Sequence, residues 1–185
     1  MRKLKNEELK RKTIEEFKNT SKLPIVIVLD NIRSGLNVGS VFRTADAFLI
    51  EKIYLCGITA KPPNKEINKT ALGATHSVDW EYITDTKEIV KKLKLQGYKI
   101  ISIEQVEGAF MLNELTINNK DKYALIFGNE ITGVDQQVVD LSDIAVEIPQ
   151  FGTKHSLNIS VSAGIVIWEF VRKIGLLLDF DRTKC

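Results

Sequence analysis

AVEIPQFGTKHSLNISVSAGIVIWEF, residues 145–170, is the stretch that decides how the rest of this chain is arranged. A short strand is predicted over residues 145–148, because Pro149 cannot donate to a β-ladder and therefore stops it. A helix is predicted from Ser156 to about residue 173. Its side chains are apolar almost all round, and a helix without a polar stripe is buried on more than one side. A second subunit packed against one face is one way to cover such a helix in a chain of 185 residues.

The segments before this stretch alternate between strands and helices. Continuous Val/Ile/Leu runs predict strands at 25–29, 53–56, 78–83, 98–103 and 123–127, and helices are predicted at 38–48, 86–95 and 135–141. This alternation predicts an α/β fold with a mostly parallel sheet flanked by helices. Asn37 is predicted to cap the helix that follows it, and Pro62-Pro63 marks residues 59–74 as irregular.

Length and composition indicate one globular domain. We predict a basic helical extension over residues 1–22, a main domain over residues 23–175 and a C-terminal tail over residues 176–185. The two cysteines form no disulfide framework, which favours the cytoplasm, and the charged N-terminus is not typical of a signal peptide. No apolar run is long enough to span a membrane. The two histidines are too isolated to predict a metal site.

Positive charge is concentrated at the N-terminus. Residues 1–22 contain eight Lys/Arg and four Glu, whereas the other 163 residues contain 18 Lys/Arg and 20 Asp/Glu. A single extension helix is expected over residues 4–18. Such a basic arm on a nearly neutral body suggests an anionic partner. A solvated helix with i,i+4 Glu/Lys pairs explains the same composition, and the sequence leaves both explanations open.

Three polar clusters follow predicted strands, at residues 31–43, 128–133 and 150–158. Ligands of parallel sheets bind at the carboxyl ends of strands, so these clusters are candidates for one site. They contain no P-loop, no dinucleotide-binding glycine motif and no nucleophile elbow. They offer instead an arginine, a carboxylate, two asparagines, a serine and several glycines.

In this order the clusters resemble the three motifs of the SpoU (TrmH-like) RNA methyltransferases of the SPOUT superfamily. The matching elements are Asn-x5-Arg43, Phe-Gly-Asn-Glu-x2-Gly133, and Ile-Pro-x2-Gly-x3-Ser-Leu-Asn-x-Ser160. The resemblance spans residues 25–174. It implies an α/β fold with a deep C-terminal trefoil knot, a homodimer, and methyl transfer from S-adenosyl-L-methionine to a ribose 2′-hydroxyl of RNA.

The resemblance also implies roles for eight residues. It assigns Arg43 to catalysis and Asn37 to holding the site around it. Glu130, Ser156 and Asn158 would line the same pocket, and Gly128, Ile148 and Leu157 would hold the adenosine of the cofactor. Taken singly, each polar residue has a simpler explanation: a solvated arginine, a helix cap or turn chemistry.

The role of Arg43 stays open at this point. The family scheme makes Arg43 the base that removes the hydroxyl proton, but a guanidinium is normally never deprotonated in proteins. An RNA phosphate could relay the proton, or Arg43 could position phosphate and stabilise alkoxide charge. Asn37 and Arg43 are six residues apart and share no helix face, so they converge only if Asn37 precedes the helix.

The substrate also stays open. Many relatives have a separate N-terminal RNA-binding domain, whereas here the basic arm directly precedes the first strand. We therefore expect tRNA, with a loop guanosine as the favoured target, and ribosomal RNA as the alternative. A catalytically idle knotted RNA-binding dimer is a rival of another class, and an unrelated nucleotide-binding domain is a third.

Overall fold

The strand β1 (Leu23–Asp30) runs through the middle of the sheet in the computed structural model, which describes residues 1–175. Within those residues the sheet has seven strands in the order β3-β2-β1-β6-β4-β7-β5, and every pair is parallel. The other strands are β2 (Ile50–Cys56), β3 (Trp80–Ile83), β4 (Tyr98–Ile103), β5 (Phe110–Met111), β6 (Lys122–Phe127) and β7 (Ile144–Glu147). The predicted α/β class and parallel sheet are confirmed.

Seven helices and one 3-10 turn connect these strands in the described part of the chain. They are the 3-10 turn Asn6–Leu9, α1 (Ile14–Asn19), α2 (Gly35–Ala47), α3 (Lys65–Ala71), α4 (Ala74–Ser77), α5 (Thr86–Leu95), α6 (Gln136–Leu141) and α7 (Ile159–Ile174). The predicted tail, residues 176–185, lies outside the described residues.

Helices cover both faces of the sheet, which explains why β1 has no polar alternation. Ile27 packs in one apolar cluster with side chains of α2 and α7, whereas Val28 packs in a second cluster with side chains of α5 and α6. Successive strand residues point to opposite faces, so both sets must be apolar. The connection after β1 therefore lies on one face of the sheet and the connection after β6 on the other.

Two predicted helix starts are wrong. α2 begins at Gly35, because the Ser34 hydroxyl accepts from the Asn37 N–H at 3.3 Å and so caps the helix; Asn37 lies in the first turn. α7 begins at Ile159 and not at Ser156, because Asn158 is its cap, with its Oδ1 accepting from the Ser160 N–H at 2.9 Å. In each case the sequence has two residues within one turn that could cap the helix. The structure uses Ser34 and not Asn37 for α2, and Asn158 and not Ser156 for α7.

Two further segments differ from prediction. The stretch predicted to be irregular contains α3, whose N-cap Asn64 accepts from the backbone N–H groups of Glu66 and Ile67 at 2.8 and 3.2 Å. The predicted extension helix is instead a 3-10 turn and the short α1, which is anchored by the buried side chain of Phe17.

The last helix keeps an uncovered apolar stripe. Val161, Ile165 and Trp168 of α7 are 49%, 38% and 48% exposed, and their spacing places them on one face. The opposite face of α7 is buried against the sheet and α2. Across the described residues, no helix combines the length and the apolar character that crossing a membrane demands.

Candidate active site

A cleft of about 490 Å³ opens at the carboxyl ends of β6, β4 and β7. Its walls contain six of the eight residues predicted for the site: Gly128, Glu130, Ile148, Ser156, Leu157 and Asn158. Ile103, Phe127 and Val146, at the ends of the three strands, form an apolar floor. The structure thus brings the second and third polar clusters together at one edge of the sheet.

The loop after β6 forms one wall of the cleft and is tightly closed. Asn129 and Gly133 exchange two backbone hydrogen bonds of 2.9 Å each. A Cβ atom on Gly128 would lie 2.0 Å from the Val134 nitrogen and 2.1 Å from the Gly133 carbonyl carbon. Glycine is therefore required at Gly128 by close packing of backbone against backbone.

Glu104 is a cleft residue that sequence reasoning missed. It directly follows β4, and its Oε2 accepts from the Val134 N–H at 2.8 Å, which ties the strand end to the loop after β6. Oε1 accepts from the Gln105 N–H at 2.9 Å. An acidic residue immediately after a buried strand was the available signal, because carboxyl ends of parallel strands meet at one edge.

Glu130 links the first polar cluster to the cleft. Its carboxylate accepts from the backbone N–H groups of Arg33 and Ser34 at 3.1 and 3.2 Å, and from Nδ2 of Asn37 at 3.0 Å. Asn37 Oδ1 in turn accepts from Nδ2 of Asn158 at 3.2 Å. Three loops that are far apart in sequence are therefore joined through one chain of polar side chains.

This network changes the acidity of Glu130. Partial burial raises the pKa of the Glu130 carboxyl, but the hydrogen bonds from Asn37, Arg33 and Ser34 together outweigh it, and the net pKa is lowered. Donors to the ionised form favour that form. Glu130 is accordingly a carboxylate at neutral pH and serves as an acceptor.

Arg43 lies outside this cleft. Its side chain is exposed on α2, and it has no hydrogen-bonding or ion-pair partner among residues 1–175. Convergence of Asn37 and Arg43 within one subunit required Asn37 to precede the helix, and this condition is not met, because Asn37 is in the first turn of α2. Arg43 shares its exposed face of α2 with Leu36 and Ala47, in the same helical layer as the apolar stripe of α7.

The cleft has the properties of a small-molecule site. Its volume is within the range of about 300–1,000 Å³ that is usual for ligand pockets, and it combines an apolar floor with a few polar groups. In the part of the chain that the structure describes, no group of three or more His, Cys, Asp or Glu side chains is placed to hold a metal ion.

The parallel sheet and the polar cleft at its strand ends define the class of this protein: an α/β protein with its ligand site at the carboxyl edge of the sheet. The SpoU rRNA Methylase family matches residues 24–168. Because this match covers most of the chain, the chain belongs to the SpoU rRNA Methylase family. The family predicted from the three motifs is confirmed.

Individual relatives agree with this assignment. The "Uncharacterized tRNA/rRNA methyltransferase" of Borreliella burgdorferi is 34% identical over 164 residues, which cover 89% of this chain and 70% of that protein. The tRNA (guanosine(18)-2′-O)-methyltransferase of Thermus thermophilus is 29% identical over 183 residues, 96% of this chain and 89% of that protein. The AdoMet-bound rRNA methyltransferase from Sinorhizobium meliloti has the same fold, with a TM-score of 0.76 at 23% identity over 84% of this chain and 59% of that one.

Proposed function

We propose that this chain is an S-adenosylmethionine-dependent RNA 2′-O-ribose methyltransferase that acts on tRNA. The observation that carries the proposal is the cleft, which unites Gly128, Glu130, Ser156 and Asn158 at the carboxyl edge of the sheet. Relatives named as 2′-O-methyltransferases of RNA and a solved AdoMet-bound family member support it.

The cleft fits the proposed cofactor. We propose that Ile148 and Leu157 enclose the adenosine, and that the closely packed backbone at Gly128 and Gly133 supplies hydrogen-bonding groups beside it. S-adenosylmethionine supplies an activated methyl group on a sulfonium, so the chemistry requires an in-line nucleophile at short range. The exposed hydroxyl of Ser156 and the second N–H of the Asn158 amide, beside the one that donates to Asn37, can orient polar groups at the mouth.

Arg43 is proposed to act on the ribose. The 2′-hydroxyl must lose its proton as the new bond to the methyl group forms. An RNA phosphate held by the planar guanidinium can accept that proton, while the guanidinium stabilises the developing alkoxide charge. The role of Asn37 and Glu130 in this proposal is to fix the loop before α2 and the loop after β6, because they are bonded to each other and to Asn158.

We further propose that the active enzyme is a homodimer in which Arg43 reaches the cleft of the partner. The support is that Arg43 is exposed and does not line the cleft of its own subunit, and that its helix α2 packs against α7, which carries the uncovered stripe Val161, Ile165 and Trp168. Burial of exposed apolar side chains would drive such an association.

Mixing two inactive variants tests the dimer proposal. With Arg43→Ala and Glu130→Ala chains mixed and refolded together, half of the dimers are heterodimers with one intact site, so about a quarter of wild-type activity should return. If Arg43 served the cleft of its own subunit, no heterodimer would hold an intact site and activity would stay absent. Each variant alone is the control.

The knot remains a proposal as well. It is supported by the position of β7 between β4 and β5, with the connection from β4 to β5 passing over the end of β7. α6 before β7 lies on one face of the sheet and α7 after it on the other. The chain thus changes faces beside that connection. Mechanical unfolding by pulling on residues 1 and 175 would test it. A knotted chain, once fully stretched, should have a shorter end-to-end distance than the contour length of the unknotted chain.

We propose tRNA as the substrate because the match to the tRNA relative covers nearly all of that protein. Residues 1–22 are proposed to form an arm that contacts RNA phosphates; most of its Lys and Arg side chains are exposed, and α1 attaches it to the body. Residues 23–175 form the proposed methyltransferase domain, and an RNA substrate agrees with the predicted cytoplasmic location. Ribosomal RNA is the alternative, because the family and the S. meliloti relative are named for it.

Methyl transfer from labelled S-adenosylmethionine tests the function directly. Unmodified tRNA transcripts and ribosomal RNA are offered separately, and the labelled nucleosides are identified by mass spectrometry. We expect a 2′-O-methyl nucleoside in tRNA. Label in ribosomal RNA alone would replace tRNA by the alternative. A folded protein that shows no binding of S-adenosylmethionine by calorimetry would favour an idle RNA-binding module.

A further inference from the structure

A second crevice lies beside the cofactor cleft and has no role in the proposal above. It measures about 680 Å³ and lies between the loops that follow β1, β2 and β6. Residues 129 and 131–133 line both spaces, so the loop after β6 stands as a wall between them. A ligand in this crevice would therefore lie directly beside the proposed methyl donor.

The topology of the sheet makes this crevice a favoured place for a ligand. β1 and β6 are neighbours, but the chain after β1 enters α2 on one face and the chain after β6 enters α6 on the other. Where neighbouring strands send their connections to opposite faces, the loops diverge and leave a crevice at the carboxyl ends. The cofactor cleft lies over β6, β4 and β7, so the divergence between β1 and β6 has no assigned ligand.

Two exposed isoleucines line the crevice, and a hydrogen bond holds the backbone N–H of each. Ile58 is 65% exposed and Ile131 is 76% exposed. Asn31 Oδ1 accepts from the Ile58 N–H at 3.1 Å, and Asn129 Oδ1 accepts from the Ile131 N–H at 2.8 Å. The two asparagines are themselves joined, because Asn129 Nδ2 donates to the Asn31 carbonyl at 2.7 Å.

These hydrogen bonds of Asn31 and Asn129 distinguish the two isoleucines from ordinary exposed apolar side chains. The Ile58 turn is further fixed by the Tyr82 hydroxyl, which donates to the Gly57 carbonyl at 2.9 Å. Both exposed isoleucines are thus carried on a preorganised backbone, and contact groups placed in this way are typical of binding surfaces. Flat apolar faces of an unstacked nucleobase match such a pair.

The charge of the crevice indicates where a phosphate would lie. Among the described residues that line it, Arg33 is the one cation, beside the carboxylates of Asp30 and Asp135, so a phosphate would lie at Arg33. The backbone N–H of Arg33 is bonded to Glu130, but its exposed side chain makes no hydrogen bond within residues 1–175. The floor is rigid, because the buried Asp30 carboxylate accepts from the Asp135 N–H at 3.1 Å and from the Thr86 hydroxyl at 2.5 Å.

We propose that this crevice binds one unpaired nucleotide of the substrate RNA, a neighbour of the methylated nucleotide. Its base would contact Ile58 and Ile131, and its phosphate would bind Arg33. The inference rests on the proposed RNA methyltransferase function and adds the place where an unpaired loop is recognised. Unpaired bases are the parts of RNA that proteins can hold in this way.

Two variants test the crevice without touching the cofactor cleft. Ile58→Ser removes the apolar contact, and we expect the dissociation constant of an unmodified tRNA transcript to rise about ten-fold, the order expected when the burial of one isoleucine side chain is lost. Arg33→Gln should weaken binding several-fold and reduce the slope of log affinity against log salt by about 1. Calorimetry with S-adenosylmethionine should give the wild-type affinity for both.

The matched controls are on α5. Leu95→Ser removes an aliphatic side chain that is 90% exposed, and Lys91→Gln removes one exposed positive charge. Both should bind tRNA as the wild type does. The inference is overturned if Ile58→Ser and Arg33→Gln bind tRNA within two-fold of these controls, or if cofactor affinity falls in parallel with tRNA affinity.

Wild-type behaviour separates this inference from the proposed function. A wild-type protein that neither binds nor methylates tRNA or ribosomal RNA would overturn the function and the inference together. A wild-type protein that methylates RNA, with variants equal to their controls, would overturn the inference alone. Displacement of tRNA by micromolar nucleoside monophosphates would show a small-molecule site and would also overturn it. Circular dichroism of each variant identifies any that fails to fold, and the other variant then decides.

Discussion

Replacing Gly128 by alanine should destabilise the protein and weaken cofactor binding at the same time. The added Cβ would stand 2.0 Å from the Val134 nitrogen and 2.1 Å from the Gly133 carbonyl carbon, both of which are backbone atoms. Side-chain rotation cannot relieve a clash with backbone, so the loop after β6 must move by more than an ångström.

The cost follows from the bonds that such a movement breaks. The Asn129–Gly133 pair has two backbone hydrogen bonds of 2.9 Å, and Glu104 holds Val134 at 2.8 Å. Each intramolecular hydrogen bond contributes about 1 kcal/mol, so breaking these three costs about 2–3 kcal/mol if some of the freed groups bond to water. For a chain of this length that corresponds to a fall in melting temperature of roughly 5–10 °C.

Urea unfolding and calorimetry with S-adenosylmethionine measure the two effects. We expect the free energy of unfolding to fall by about 2–3 kcal/mol and the cofactor affinity to fall at least about ten-fold. Gly152→Ala is the matched control, because no atom lies within 4 Å of its added Cβ; it should change stability by less than about 1 kcal/mol. A Gly128→Ala protein with the stability and cofactor affinity of this control would refute the reasoning.

Three other perturbations have defined outcomes. Trp168→Glu places a charge on the uncovered stripe of α7 and should convert a dimer into a monomer by sedimentation; a dimer of unchanged stability would contradict that proposal. Glu130→Gln should destabilise the protein by about 1–2 kcal/mol near pH 7, because a carboxylate with three donors is lost. The folded-state pKa of Glu130 is lowered, so the stability difference between wild type and variant is fully present above the ordinary glutamate pKa of about 4.3. It should disappear as the pH falls from there through the lowered folded-state pKa. A difference in urea unfolding that does not depend on pH would contradict the assignment. Lys173→Met removes three hydrogen bonds of 2.5–3.1 Å to the carbonyls of residues 112, 113 and 115, so amide exchange in that segment should accelerate while β1 stays protected.

The sequence was sufficient to predict a sheet with helices on both faces, because this layering depends on which residues are buried. β1 is buried on both faces, so its unbroken apolar run predicted a central parallel strand correctly. α5 was also predicted within its observed bounds, because both candidate caps, Asp85 and Thr86, are at the same end and Gly97 has the positive φ of a helix end. Asp85 is the cap, and because the two candidates are adjacent the choice between them hardly moves the helix start.

The helix starts at the site could not be predicted because their caps compete. Ser34 and Asn37 are both good N-caps, as are Ser156 and Asn158. What selects Ser34 is distant: Asn37 donates to Glu130, which is 93 residues away in sequence. Similarly, the two-residue strand β5 is defined only by its pairing with β7, and no periodicity extends over two residues.

The predicted site residues show the same difference between features set by strand topology and features set by distant contacts. Six of the eight line one cleft because they follow strands whose carboxyl ends are adjacent in the sheet, a consequence of topology. Arg43 belongs to a helix, and its direction depends on how that helix packs. α2 packs against α3 and α7, and Arg43 is on its exposed face; neither packing partner could be identified from the sequence alone.

The loop after β6 connects these features into one argument about function. Asn129 bonds to the loop after β1, Glu130 bonds to the start of α2, and Val134 bonds to Glu104 at the end of β4. The same loop separates the proposed cofactor cleft from the crevice proposed for RNA. A displacement on one side must therefore alter the wall of the other, because the hydrogen bonds leave the loop little freedom to move alone. If both proposals hold, cofactor and RNA should each raise the affinity for the other by the same factor, since such coupling is reciprocal.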